Sequence, residues 1–243
     1  YNIARGLQNK DEPELNYWDG YDGKSMWNGI RNCNIFLENI DRVKDVEPYM
    51  RDRWIAEAKF LKAYFHWYLF RMYGPIPIVD KNLPIYASAE EVKVSRQSAD
   101  SVVNYIVNLL DEAAAGEGSV GLPDKIINQS TELGRITKPI ALAIKARLLV
   151  TAASPLFNGN PDFANIKNPD GRALFNATYD QKKWERAAEA CKLAITAAKN
   201  ADIDLYRFIS PTKPVDDFTK TEMSIRNAVC EKWNSELIWG TTT

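Results

Sequence analysis

A short polar segment near the N-terminus combines aromatic rings with hydrogen-bonding side chains. It reads Asn-Tyr-Trp-Asp-Gly-Tyr-Asp-Gly over residues 16–23, so amide and carboxylate groups lie between the rings. Aromatic faces stack on the apolar C–H faces of sugar rings, while Asn and Asp side chains hydrogen-bond hydroxyls. Burial of such a segment would leave backbone groups without partners, so we expect it on the surface. The predicted ligand-binding residues are Asn16, Tyr17, Trp18, Tyr21 and Asp22.

The alternative interpretation of this segment is packing: Trp18 or Tyr21 would lie against the first helix and contribute to the core. Two further segments are candidates for ligand contact. Residues 154–179 are rich in Asn, Pro, Gly and Asp, and a loop of that length is usually functional or disordered. Phe157 and Asn158 are the candidates there, and Tyr206 is a candidate in the mixed stretch that follows residue 201.

No catalytic or metal-binding motif accompanies these side chains. His66 is the single histidine and lies in an aromatic helix, so a histidine-pair metal site is excluded and a structural role is expected. A GxSxG nucleophile motif and a Walker loop are absent. The acidic residues are scattered, and a glycosidase-type carboxylate pair stays open from the sequence alone. We predict a binding protein, not an enzyme, that uses no metal and no cofactor.

Composition limits the partners and the location of the chain. Its 243 residues are enough for one large domain or two small ones, and 45% hydrophobic with 26% charged residues is ordinary for a globular protein. A net charge of -1 gives no general attraction to nucleic acid. The sequence contains no run of 18 apolar residues, so it predicts no transmembrane helix. Cys33, Cys191 and Cys230 lack metal-ligand spacing; a disulfide between the first two stays open.

Five amphipathic helices are predicted from apolar residues at steps of three and four. Their bounds are 24–42, 48–73, 99–115, 137–153 and 180–201. The second helix is aromatic on two faces and should lie centrally; Gly74 and Pro75 end it. One face of the second helix is Trp54, Ala58, Leu61, Phe65, Tyr68 and Met72, and its second face is Phe60, Tyr64 and Trp67. The fifth helix has a stripe of Trp184, Ala188, Cys191 and Ile195.

The alternation of large and small residues on the last two helices is typical of tetratricopeptide-like pairs. Alanines there allow helix backbones to approach closely, although a strict repeat length is absent because a long loop separates the helices. We therefore predict an all-α fold of antiparallel helix pairs with long inserted loops.

Four segments, in this order, resemble one protein family. They read WNGIRNCN at 27–34, EAKFLKAY followed by YGPIPI at 57–64 and 73–78, TKPIALAIKARLLVTAASPLFNG at 137–159, and WERAA at 184–188. On the basis of these motifs, the chain is identified as a member of the SusD/RagB family, which comprises outer-membrane nutrient-binding lipoproteins of Bacteroidetes. Ordered matches of this kind identify the family, whereas the ligand residues vary between its members and no strict ligand motif carries over.

The resemblance implies a SusD-like fold, with ligand residues on loops that project from a helical scaffold. It also implies an oligosaccharide ligand, a SusC-like TonB-dependent transporter as partner, and a surface-exposed lipoprotein of the outer membrane. Family members are longer and begin with a lipidated cysteine that this chain does not contain. We therefore interpret residues 1–243 as a single SusD-like helical domain that forms the N-terminal part of a longer protein.

Two other functions stay open at this point. The first is a nutrient-uptake protein of the same family that binds peptides, which an exposed sheet edge would favour. The second is a tetratricopeptide-like scaffold that binds only proteins, which exposed aromatic side chains on the loops would argue against.

Overall fold

The computed structural model describes residues 2–7, 9, 11, 13–19, 25–115 and 121–240. Within these residues it contains seven α-helices, three short 3₁₀-helices and no β-strand. The α-helices are α1 Met26–Asn39, α2 Pro48–Tyr73, α3 Ala99–Ala115, α4 Gln129–Glu132, α5 Lys138–Ala153, α6 Lys182–Asn200 and α7 Asp217–Cys230. The 3₁₀-helices are Ile3–Arg5, Ile40–Arg42 and Pro161–Phe163. The predicted all-α class is confirmed.

Neighbouring helices in the chain pack as antiparallel pairs. The ring of Trp27, at the start of α1, lies 6.4 Å from the ring of His66, which is late in α2. At the opposite end, Arg51 of α2 pairs with Asp41, which follows α1, at 3.3 Å. Helix α2 therefore lies antiparallel to α1, and its other side packs against α3. Helix α5 packs against both α3 and α6, which extends the layer of helices.

Helix α2 has two apolar faces, as predicted, and buries the second one more deeply. The deeply buried residues are Phe60, Ala63, Trp67 and Phe70, which belong to the other aromatic face. On the first face Ala58 is buried, Met72 is 39% exposed, and the side chains between and before them are half-buried. Both faces are apolar, so periodicity alone does not tell which one meets the core.

The stripe predicted for α6 was wrong, because it is not the face that packs on the neighbouring helix. Trp184 and Ile195 are 40% and 56% exposed, whereas Ala187, Ala190 and Ala198 are buried. The alanine face packs on α5, where small side chains allow the two helix axes to come close. The larger apolar side chains therefore lie outside this helix pair.

Helix α7 was missing from the prediction, which treated residues 202–235 as mixed. Its N-cap is Asp216, whose Oδ1 accepts a hydrogen bond from the backbone N–H of Thr219 at 2.9 Å. Phe218, Ile225 and Val229 are 79%, 69% and 88% exposed, so the large apolar residues of α7 do not form an inward stripe. The capping residue was the usable signal in this part of the sequence.

Candidate functional site

The N-terminal segment is tied closely to α1 and α2. The side-chain carbonyl of Asn16 accepts hydrogen bonds from the backbone N–H groups of Trp18 (3.2 Å) and Asp19 (3.3 Å), which forms a tight turn. The backbone N–H of Tyr17 donates to the Tyr73 hydroxyl at 3.0 Å, and the Tyr17 carbonyl accepts from the backbone N–H of Met26 at 3.1 Å. These bonds connect the segment to the start of α1 and the end of α2.

Aromatic rings from the same three elements pack edge to face. The Trp18 ring lies 5.1 Å from that of Trp27 and 5.3 Å from that of Tyr73. The Tyr17 ring lies 4.8 Å from that of Tyr68. Trp18 is half-buried against the core, as the packing interpretation of this segment expected. Its contact with a ligand stays a prediction.

We call the set Tyr17, Trp18, Trp27, Tyr68 and Tyr73 the aromatic patch. Tyr73 is its most open ring, at 37% exposure. The guanidinium carbon of the exposed Arg71 lies 4.5 Å from the centre of the Tyr68 ring, within cation–π distance. A hydrogen bond with Tyr68 and, to a smaller extent, burial raise the pKa of Tyr17, so its hydroxyl stays protonated at neutral pH. The patch thus offers an aromatic edge, with the cation of Arg71 beside it.

Sequence reasoning missed Arg71 and Tyr73 as site residues, and placed Tyr68 on an apolar face of the second helix. All three lie in the last two turns of α2, immediately before Gly74, which has a positive φ of 72°. The available signal was the helix end itself: a glycine that ends an aromatic helix exposes the side chains of its last turn.

Phe157 and Asn158 lie in a different part of the fold and are buried. Phe157 is 7% exposed and its ring stacks 4.9 Å from that of Phe70. Asn158 is 5% exposed; its Nδ2 donates to the carbonyl of Asp180 at 2.9 Å and its Oδ1 accepts from the Asp180 N–H at 2.8 Å. Both side chains hold the 154–179 segment onto the helices. Neither presents a free polar group to a ligand, and their predicted role stays without support.

The remaining predicted residues do not join the patch. Tyr206 is half-buried, its backbone N–H donates to Glu236 at 3.1 Å, and a hydrogen bond with Glu231 raises its pKa. It therefore lies beside the segment that follows α7. Tyr21 and Asp22 lie outside the residues that the structure describes.

His66 is a structural residue, as expected. Its Nδ1 lies 2.7 Å from the backbone carbonyl of Lys62, and the backbone N–H of Val79 donates to its Nε2 at 3.4 Å. These partners require a neutral ring with the proton on Nδ1. Burial lowers the pKa of His66 to about 4, which keeps it neutral in ordinary conditions.

Metal sites, disulfides and membrane spans each need a particular arrangement of residues. The described part of the chain contains no group of three or more His, Cys, Asp or Glu side chains placed to hold a metal ion. The three cysteines are unpaired, and burial raises the pKa of the Cys33 thiol to about 11, so this thiol is unreactive at neutral pH. None of the described helices combines the length and the apolar character needed to cross a membrane.

Comparison with known proteins decides the family. Residues 3–149 match the model of the SusD-like family described as "Starch-binding associating with outer membrane". The chain belongs to the SusD-like family. This match covers α1, α2 and α3 and most of α5, and therefore includes the whole aromatic patch. The family identified from the sequence motifs is confirmed.

Relatives with known structures or sequences agree with the SusD-like assignment. The solved structure named BT4246 is 35% identical, superposes with a TM-score of 0.77, and matches 90% of this chain but 40% of its own. The starch-binding protein SusD of Bacteroides thetaiotaomicron is 24% identical over 181 residues, and the SusD-like protein P25 of Formosa agariphila is 26% identical over 126 residues. The chain spans 29% and 22% of the lengths of these two relatives.

Proposed function

We propose that this protein binds glycans at the cell surface and that Tyr73, the most open ring of the aromatic patch, and the adjacent Arg71 form its contact surface on this part of the molecule. The supporting observation is the pair Arg71 and Tyr73, which is exposed beside a rigid cluster of rings in a chain of a starch-binding family. Family membership supports a glycan as the ligand class, and the position of this pair supports the contact surface.

The chemistry of the patch suits a sugar ring. The exposed part of Tyr73 can cover the apolar C–H face of a pyranose, which releases water from both surfaces. Arg71 carries five N–H donors in a planar fork, and its position over Tyr68 limits the orientations it can adopt. Donors held in place before binding lose less entropy when they bond hydroxyls. Asn16 acts indirectly, because its carbonyl already holds the turn that positions Tyr17 and Trp18.

Delivery of the bound glycan to a SusC-like TonB-dependent transporter completes the proposal. The supporting observation is the family description, which places related proteins at the outer membrane. We propose that the protein is a surface-exposed lipoprotein whose N-terminal lipid anchor precedes the residues of this chain. A pull-down with this protein from solubilised outer membranes, with the recovered proteins identified by mass spectrometry, tests the partner. A protein recovered only in the aqueous phase of a detergent phase separation would contradict the anchor.

The two alternatives receive less support. A peptide that binds by strand addition needs an exposed sheet edge, and the described residues form one isolated bridge, between Lys167 and Ala173, and no strand. An open tyrosine and an arginine also suit a protein interface, so the starch-binding description of the family is what favours a glycan over a purely protein-binding scaffold. We also propose that the protein binds its ligand without cleaving it; the supporting observation is the description of its family as starch-binding.

Glycan titrations with matched variants test the contact surface. Tyr73→Ala and Arg71→Ala should each weaken glycan binding by about tenfold, since losing one stacking or charged hydrogen-bond contact costs about 1–2 kcal/mol. Tyr49→Ala is the matched control, because Tyr49 is a 59% exposed tyrosine at the opposite end of α2. Calorimetry against a polysaccharide panel gives the affinities and thermal denaturation checks folding. Equal affinities for Tyr73→Ala and Tyr49→Ala would remove the patch from the site.

A further inference from the structure

Helix α7 carries an apolar stripe that faces away from the rest of the fold. Phe218, Ile225 and Val229 lie within about 40° of each other around the helix axis, since each residue turns the helix by about 100°. Their side chains are 79%, 69% and 88% exposed. A surface helix of a globular protein ordinarily turns such a stripe toward the core. We call these three side chains the outer face of α7.

The other side of α7 packs on an extended segment, residues 203–209. The backbone N–H of Phe208 donates to the Ser224 hydroxyl at 2.9 Å, and a hydrogen bond joins the side chains of Tyr206 and Glu231. Phe208 and Tyr206 are half-buried by this packing. The contacts that α7 makes therefore use its polar side and leave the apolar side uncovered.

The region around α7 has no core of its own. Among residues 202–240, all of which the structure describes, none is buried. Trp239 is half-buried, and its ring lies 5.6 Å from that of Phe60 in α2, which connects the region to the earlier helices. Helix α7 has 14 residues, a length at which an isolated helix is marginal in water, so its stability must come from packing. The missing part of that packing is at the outer face.

The size of related proteins indicates what covers this face. The chain matches BT4246 over 90% of its own length at 35% identity, but over 40% of the length of BT4246. Single apolar side chains on a surface are ordinary, whereas several large ones on one helix face mark an interaction surface. A protein of this family therefore has enough further polypeptide to cover such a face.

We propose that the outer face of α7 is an internal interface, covered by a further part of the same polypeptide that lies outside residues 1–243. The covering segment presents apolar side chains, because the outer face gains stability by removing Phe218, Ile225 and Val229 from water. Helices of this fold pack side by side in a layer, so a helix set against α7 would extend it. The inference goes beyond the proposed glycan binding and does not depend on it.

Amide hydrogen exchange on two lengths of the protein tests this interface: the intact gene product and residues 1–243 alone. We expect the amides of α7 to exchange at least about 100-fold more slowly in the intact product, because opening them must also break the interface. The amides of α1 are the control and should exchange alike in both, since α1 packs on α2, far from α6 in the layer. Equal exchange of α7 in the two lengths would overturn the proposal, as would a gene product without further residues.

Matched isoleucine variants of the intact product test the face without shortening the protein. Ile225→Ser should speed the exchange of α7 amides by about 30-fold, the effect of removing a large apolar side chain from a packed interior. Ile35→Ser is the control, because Ile35 is also exposed on a helix, at 43% on α1, and should leave the exchange of α7 unchanged.

Three results of these measurements would contradict the proposal. The first is an equal effect of Ile225→Ser and Ile35→Ser on α7. The second is an exchange of α7 in the unmodified intact product that is as fast as in an unfolded peptide. The third is protection of α7 that falls on dilution, which would assign the outer face to a second copy of the protein instead.

Discussion

Buried His66 makes the stability of this protein depend on pH in a defined window. Burial lowers its pKa in the folded state from 6.5 to about 4. Below pH 6.5 His66 takes up a proton in the unfolded chain, whereas in the folded protein it stays neutral until about pH 4. The free energy of unfolding should therefore fall as the pH drops through this window. The full loss is about 3 kcal/mol, at about 1.4 kcal/mol per pH unit, and most of it is reached by pH 4.5.

Urea denaturation between pH 7.5 and pH 4.5 measures this effect. His66→Gln should remove most of the slope, because the amide can still bond its neighbours but does not titrate. The chain contains no other histidine, so the difference between the two proteins isolates this group. Tyr105→Phe is the control: its ring lies 5.1 Å from His66, and it hydrogen-bonds Asp80. Burial alone would raise the pKa of Asp80, but hydrogen bonds from Lys62 and Tyr105 lower it below 3.8, so losing one of them acts mainly below this window.

The reasoning would be refuted by a stability that is flat between pH 7.5 and pH 4.5. It would also be refuted if His66→Gln kept the slope of the unmodified protein, since the proton uptake would then belong to another group. A slope that Tyr105→Phe also removes would show that the acidic neighbour, rather than the imidazole, controls the effect.

Two further predictions concern residues that shape the loops. Trp18→Ala should lower the free energy of unfolding by about 2 kcal/mol, because it removes a half-buried ring that packs against Trp27 and Tyr73. The affinity of the folded fraction for glycan should change little. Thermal denaturation and calorimetry on this variant measure the two quantities, and a loss of affinity without a loss of stability would return Trp18 to the ligand site. Gly159→Ala should destabilise more than Gly171→Ala: both have positive φ, but a Cβ at 159 would lie 2.8 Å from the backbone nitrogen of Tyr179, whereas the other position is open. Equal losses in denaturation experiments would show that φ strain alone matters.

Helix boundaries could be predicted well where local signals decide them. The predicted ranges 48–73 and 99–115 coincide with α2 and α3. Pro48 occupies a tolerated first-turn position and Gly74 ends α2 with a positive φ, so both limits of this helix depend on residues at the limits themselves. Such signals act within a few residues of each boundary and need no tertiary context.

Which face of a helix is buried could not be predicted from the same pattern. In α6, the large apolar side chains of Trp184 and Ile195 defined the predicted stripe. The buried residues are instead the alanines at 187, 190 and 198. Burial on α5 depends on how closely two helices can approach, and that distance depends on the smallest side chains between them. Periodicity weighted by hydrophobicity counts large side chains most and therefore selects the wrong face.

The candidate site shows the same limit at the level of function. The sequence identified Tyr17 and Trp18 as surface aromatics because their neighbours along the chain are polar. Their actual neighbours are Trp27, Tyr68 and Tyr73, which bring three separate elements together and cover much of Trp18. Side chains that hold a segment in place have fewer free contacts for a ligand. The search for the glycan contact therefore moves from the rings that the sequence named to the exposed rim that they support, at Tyr73 and Arg71.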